Sequence, residues 1–98
     1  MDTNELRLQV GTEIRRERES QGLTLKTLAG MVGTSYTHLW KVENGKVSVG
    51  LDLLGKLADA LDVPLAEIVT RATRNTPPTD ADSVEHIQIE YLDVRRKP

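Results

Sequence analysis

No cysteine occurs in this 98-residue chain, so neither a disulfide framework nor a thiolate metal site can organise it, and a reducing compartment suits it. Phenylalanine is absent too, and aromatic residues make up only 3%. The core must therefore be built from Leu, Val, Ile and Ala. No apolar run approaches the roughly 20 residues of a membrane span, and no basic-then-apolar segment opens the chain. These absences set the expectation of a cytoplasmic protein with no membrane partner. An excess of basic charge is missing as well. The net charge is −2, which is not the balance of a strongly basic nucleic-acid binder.

Groupings that would carry catalysis are also lacking. His38 and His86 stand in separate elements with no nucleophile or metal-ligand spacing beside them. There is no Gly-rich phosphate loop. Asp80 and Asp82 sit in a stretch that would not fix their geometry or tune their pKa values. The sequence therefore implies no enzyme, no metal and no cofactor.

What is present is helical periodicity. Residues 3–20 form an amphipathic pattern in which Leu6, Val10 and Ile14 recur every fourth position and Arg18 continues the stripe. Asp2 or Thr3 can cap this helix, Glu5 favours its positive end, and Gln21-Gly22 supplies the stop. Glu13, Arg15, Arg16, Glu17 and Glu19 read as a solvated mixed-charge face. Further on, Gly50 is a plausible N-cap, and Leu51, Leu54, Leu57, Ala58 and Leu61 make the stripe of another helix. Gly55 inside it costs about 1 kcal/mol against Ala, which suggests a close helix contact there. Pro64 suits the first turn of a last helix carrying Leu65, Ile68 and Val69. Residues 1–73 thus read as one compact all-α unit of five helices.

The composition then changes. Residues 74–83, with NTPPTDADS, have no apolar periodicity and read as an extended linker. In 84–98, Ile87, Ile89 and Tyr91 alternate with His86, Gln88 and Glu90, which favours a β-strand; a helix aligning Val84, Ile87, Tyr91 and Val94 and a disordered tail are the alternatives. A lone strand is not stable, so Ile87, Ile89 and Tyr91 are expected to pair across a homodimer. By charge, residues 1–74 hold ten Lys or Arg and ten Asp or Glu, and the remainder carries the −2.

The centre of the chain is Thr24 to Gly45. Thr24 can cap a helix that buries Leu28 and Ala29, Gly33 breaks the pattern, and Ser35 caps a second helix burying Leu39 and Val42. Two helices meeting at a Gly-containing turn form a helix-turn-helix, whose second helix enters the DNA major groove. With Leu39 and Val42 inward, Tyr36, Thr37, Trp40, Lys41 and Asn44 share the opposite face. Lys41 can donate to guanine, and the Thr37 methyl or Tyr36 ring can meet a thymine methyl. Trp40 suits either partial burial against a neighbouring helix or an external contact.

GLTLKTLAGMVGTSYTHLWKVENGK, followed by a Leu-rich helix and ALDV, resembles the Cro/cI-type (Xre-type) helix-turn-helix domain of phage repressors and bacterial regulators. The likeness runs from about Val10 to Val69. It implies a five-helix Cro/cI-repressor-like fold in a bacterial or phage-encoded protein. It implies base contacts at Tyr36, Thr37 and Lys41, to which the helix face adds Trp40. Phosphate contacts are expected at Thr24, Ser35, Asn44, Gly45 and Lys46, and Arg18 and Glu43 match a family ion pair with a structural role. Three positions depart from the pattern. Leu25 stands where Gln is usual and removes one phosphate contact, while Val49 and Gly50 replace a usual Pro and Ser before the fourth helix.

The expected function is a sequence-specific DNA-binding transcriptional regulator, a repressor acting as a homodimer on a palindromic operator of double-stranded DNA. The alternative is a protein-interaction module or antitoxin-like partner on the same scaffold, using Tyr36 and Trp40 against a protein partner.

Overall fold

The computed structural model describes residues 1–74. Five helices follow one another: α1 (Thr3–Ser20), α2 (Leu25–Val32), α3 (Tyr36–Glu43), α4 (Leu51–Leu61) and α5 (Leu65–Arg74). Among the described residues there is no strand, and no helix is long and apolar enough to cross a membrane. α5 continues through the expected boundary at Thr73 to Arg74, the last described residue. The linker and the dimerisation residues Ile87, Ile89 and Tyr91 lie outside the described residues.

Local chemistry sets each boundary. Asp2, Thr24 and Ser35 accept hydrogen bonds through their side chains from the amides of Glu5, Thr27 and His38, at 2.8, 3.0 and 3.0 Å, satisfying amides that a helix start leaves open. Gly50 begins α4 with no side-chain cap. The helix ends are equally well defined. At α4, Val63 N–H reaches back to Ala58 O at 3.0 Å while Asp62 takes a left-handed φ of 57°, the closing turn that usually falls to glycine.

The core is wholly aliphatic. Ile14, Leu28, Leu39, Val42, Leu57, Leu61 and Ile68 are buried almost completely. α1 is the organising element, packing against α5, α3 and α4, while α2 packs on α3 and α4. Polar ties reinforce this: Gln21 Nε2 donates to Leu61 O at 2.6 Å, and Arg71 bridges Glu17 on α1 at 3.2 Å and Glu67 on its own helix at 2.6 Å. The bonds that Arg71 donates, to Glu67 first and then to Glu17, hold its pKa above the ordinary value.

Several expectations from periodicity are corrected. Leu6 and Leu51 lie on apolar stripes, yet Leu6 is 38% and Leu51 77% exposed. Each stands near the start of its helix, where the stripe overhangs the end of the packed layer. On α5 only Ile68 of the expected trio is buried, with Leu65 and Val69 at the rim. Glu13 is not solvated but buried, its Oε1 accepting from Arg16 Nη1 at 2.8 Å. Gly55 makes no close helix contact, since a Cβ built there meets nothing within 4 Å. That contact belongs to Gly11, where a Cβ would come within 3 Å of the Val42 and Glu43 backbone.

Candidate nucleic-acid interface

Two short helices make the site. α2 ends at Val32, Gly33 turns the chain with a φ of 72°, and Thr34 N–H closes onto Ala29 O at 2.9 Å. Ser35 then starts α3, so three residues separate the helices, the connection of a helix-turn-helix. Leu28, Ala29 and Val32 on α2 and Leu39 and Val42 on α3 are buried.

Burying that side of α3 leaves the other outside. Tyr36 is 53% and Trp40 42% exposed, with Thr37 and Lys41 also in solvent. Of the two possibilities for Trp40, the structure therefore leaves a large part of the ring available. Asn44 completes this side of the helix end. It is half-buried, and its side-chain amide donates to Trp40 O at 2.9 Å, closing its own helix end. Thr24 and Ser35 are exposed at the helix starts; besides capping, Thr24 lies 2.9 Å from the Thr27 hydroxyl.

The turn after α3 is pressed against α1. Gly45 takes a φ of 68°, and its amide and that of Lys46 reach back to Val42 O and Lys41 O at 3.2 and 2.9 Å. A Cβ at Gly45 would sit 2.8 Å from Leu8 Cα. Glycine is required there twice over, by conformation and by the approach of α1. Lys46 projects into solvent beyond this fixed turn.

Arg18 and Glu43 lock the end of α3 to α1. Arg18 Nε donates to Glu43 Oε2 at 2.7 Å and Nη2 to Oε1 at 3.0 Å, while Nη1 donates to Leu23 O at 2.8 Å. The hydrogen bonds to Glu43 raise the guanidinium pKa, outweighing the opposing effect of burial.

This pair also resolves the charge question. Between Ser20 and Leu51, Glu43 is the sole carboxylate in the sequence, and it is buried and neutralised by Arg18. The exposed surface of the stretch therefore carries only cations, Lys26, Lys41 and Lys46. A neutral helical unit thus has one face of a single sign, because its acids other than Glu43 sit on or at the ends of α1, α4 and α5. Lys26 was not among the residues singled out by sequence; the run from Gln21 to Gly50, in which Glu43 is the one acid, is the signal that marks it. Among the described residues no group of acids or histidines could hold a metal.

Comparison with known proteins fits this geometry. The helix-turn-helix family model HTH_3 matches residues 14–68. Searching the curated proteins gives no match. Among solved structures, the clp gene regulator ClgR of Corynebacterium glutamicum is 29% identical at a TM-score of 0.71, over 74% of this chain and 92% of that one. The restriction-modification controller protein C.AhdI of Aeromonas hydrophila is 34% identical at a TM-score of 0.61, over 62% of this chain and 92% of its own. An HTH_3 family transcriptional regulator of Vibrio cholerae is 25% identical at a TM-score of 0.65, over 70% of this chain and 39% of the longer protein. With the family matched from within α1 to within α5 and a cationic helix-turn-helix face exposed, the chain belongs to the HTH_3 helix-turn-helix family of DNA-binding transcriptional regulators.

Proposed function

We propose that this protein is a repressor that binds a palindromic operator as a homodimer, with α3 in the major groove. The observation that carries the reading is the exposed α2–α3 surface, whose charged side chains are all lysines. Tyr36, Thr37, Trp40 and Lys41 meet base edges. Thr24, Ser35, Gly45, Lys46 and the backbone at Asn44 meet phosphates, which set register while the bases supply sequence information. Lys26 adds a further phosphate contact. Two copies held together by residues 84–98, through Ile87, Ile89 and Tyr91, place their recognition helices roughly 34 Å apart, one turn of DNA. Repression follows from occupancy, since a bound dimer excludes other proteins from the operator.

A selection on random duplexes tests this. The expected result is an enriched pair of inverted half-sites about one helical turn apart, bound with an affinity that drops steeply with added salt. Recovery of a single asymmetric half-site would remove the dimer, and no enrichment at all would remove sequence-specific reading.

Tyr36 and Trp40, both substantially exposed on α3, also suit a protein partner's apolar groove. That reading requires a co-purifying protein that Trp40→Ala releases while DNA affinity is kept.

A further inference from the structure

A second surface lies between α1, α4 and α5. An apolar groove of about 250 Å³ is lined by Leu6, Val10, Val49, Leu54 and Val69, with Arg7 at its edge. Its rim is apolar as well, since Leu6 and Val69 are both more than a third exposed and Leu65 stands one turn before Val69. The Arg7 Nε is buried yet has no hydrogen-bond partner among the described residues. A carboxylate arriving with an apolar segment would satisfy both features at once.

We propose that this groove receives residues 84–94 of a second copy, so that the two protomers exchange tails. The proposal rests on the dimer reading above and says where the exchanged segment sits. VEHIQIEYLDV carries the two needed chemistries. It has Ile87, Ile89 and Tyr91 at alternate positions, and Glu85, Glu90 and Asp93 with no Lys or Arg among them. In an extended segment, alternate side chains recur about every 6.6 Å. That is close to the rise of about 6 Å between Leu6 and Val10 on α1, and between Leu65 and Val69 on α5. Ile87 and Ile89 can therefore lie along the two rows, with an acid reaching Arg7.

The direction of α5 favours the second copy over the same chain. From Val69 the helix runs on to Arg74, which lies beside Glu13 and Arg16 of α1. The groove sits at the opposite half of α1, from Thr3 to Val10. The chain thus leaves α5 heading away from its own groove. Residues 75–83 then span up to about 30 Å when extended, enough to bridge to a neighbour.

The absence of native cysteine makes the test direct. Val69→Cys and Ile89→Cys are made in separate full-length chains, mixed, equilibrated and mildly oxidised. Exchange into the groove gives a mixed disulfide dimer in excess of either self-linked species. Dominant self-linkage of Ile89→Cys would show tail pairing with tail and overturn the groove seat. Efficient closure within single chains that carry both substitutions would overturn exchange. A stable dimer by sedimentation with no Val69–Ile89 linkage also rejects the groove while leaving the dimer standing, whereas a monomer rejects both. Independently, Arg7→Glu is expected to weaken the dimer roughly tenfold or more while leaving the melting of a chain ending at Arg74 unchanged; undiminished dimerisation would count against the charge pairing.

Discussion

Arg18 holds Glu43 by two parallel hydrogen bonds, at 2.7 and 3.0 Å, across 25 residues of sequence and with both side chains nearly inaccessible to water. The fork also reaches Leu23 O, so one guanidinium joins α1, the α1–α2 loop and the end of α3. Removing either partner strands a buried charge. Arg18→Ala or Glu43→Ala is expected to cost about 3–5 kcal/mol in denaturant unfolding, and Arg18→Lys to restore little, because a point charge cannot replace the planar fork. The double change Arg18→Met with Glu43→Leu should recover most of the loss. Because the Arg18 pKa is raised in the folded state, its contribution is complete at every pH below the ordinary arginine value. It is lost only as pH rises through the higher folded value. Stability attributable to this group should therefore stay flat from pH 6 to 10; a slope removed by Arg18→Met would contradict that.

Lys41 and Lys46 separate base reading from phosphate grip. Lys41→Ala is expected to cost about 1–3 kcal/mol on the preferred operator and to relax discrimination at one base pair. Lys46→Ala should weaken binding to all sequences alike and reduce the salt slope by about 1, and Lys26→Ala should behave in the same way. Titrations against the operator and a scrambled duplex at several salt concentrations resolve the two patterns. If Lys41→Ala lowered both affinities equally, α3 would not be reading bases through it.

Gly11 and Gly55 respond oppositely to the same substitution. Gly55→Ala places a methyl in open space within α4 and is expected to stabilise by about 1 kcal/mol through helix propensity. At Gly11 the added carbon would collide with the Val42 carbonyl oxygen, forcing α1 away from the turn that carries Gly45 and Lys46. Gly11→Ala should destabilise by about 1–3 kcal/mol and weaken DNA binding beyond its effect on stability. Thermal melts paired with affinities measured well below the melting point separate those contributions.

This pair also shows where the sequence was legible. Helix existence, caps and the buried residues of α2 and α3 follow from local rules, because Thr24, Ser35 and Gly33 act on their own neighbours. The Arg18–Glu43 pair came from the family pattern, supported by a charge on an apolar stripe. Helical glycines carry no such local mark: Gly55 looked like a contact and Gly11 like nothing, because only the crossing of α1 over the end of α3 distinguishes them. Stripe ends fail for a related reason. Leu6, Leu51 and Val69 have the right period, but period says nothing about whether a neighbouring helix reaches that far. The cationic character of the site is hidden in the charge totals, which count Glu43 as a free acid although it is buried and paired with Arg18.

Leu25 gives the last prediction, in which two effects oppose. The family's usual glutamine at this position would hydrogen-bond phosphate, and here a leucine is half-buried and packed against the core instead. Leu25→Gln should therefore lose part of a burial contribution, about 1 kcal/mol of stability for roughly half of a leucine side chain. It should gain a hydrogen bond to a charged acceptor on DNA, about 1.5–3 kcal/mol at most before the cost of ordering the side chain. The net expectation is a lower melting temperature in the free protein together with roughly tenfold tighter operator binding. Both shifts come from one side chain, so they should appear in the same variant. Tighter binding without destabilisation would mean Leu25 contributes nothing to packing. Destabilisation without tighter binding would mean the start of α2 does not approach the phosphate backbone, and Thr24 and Lys26 would then lose their assigned contacts as well.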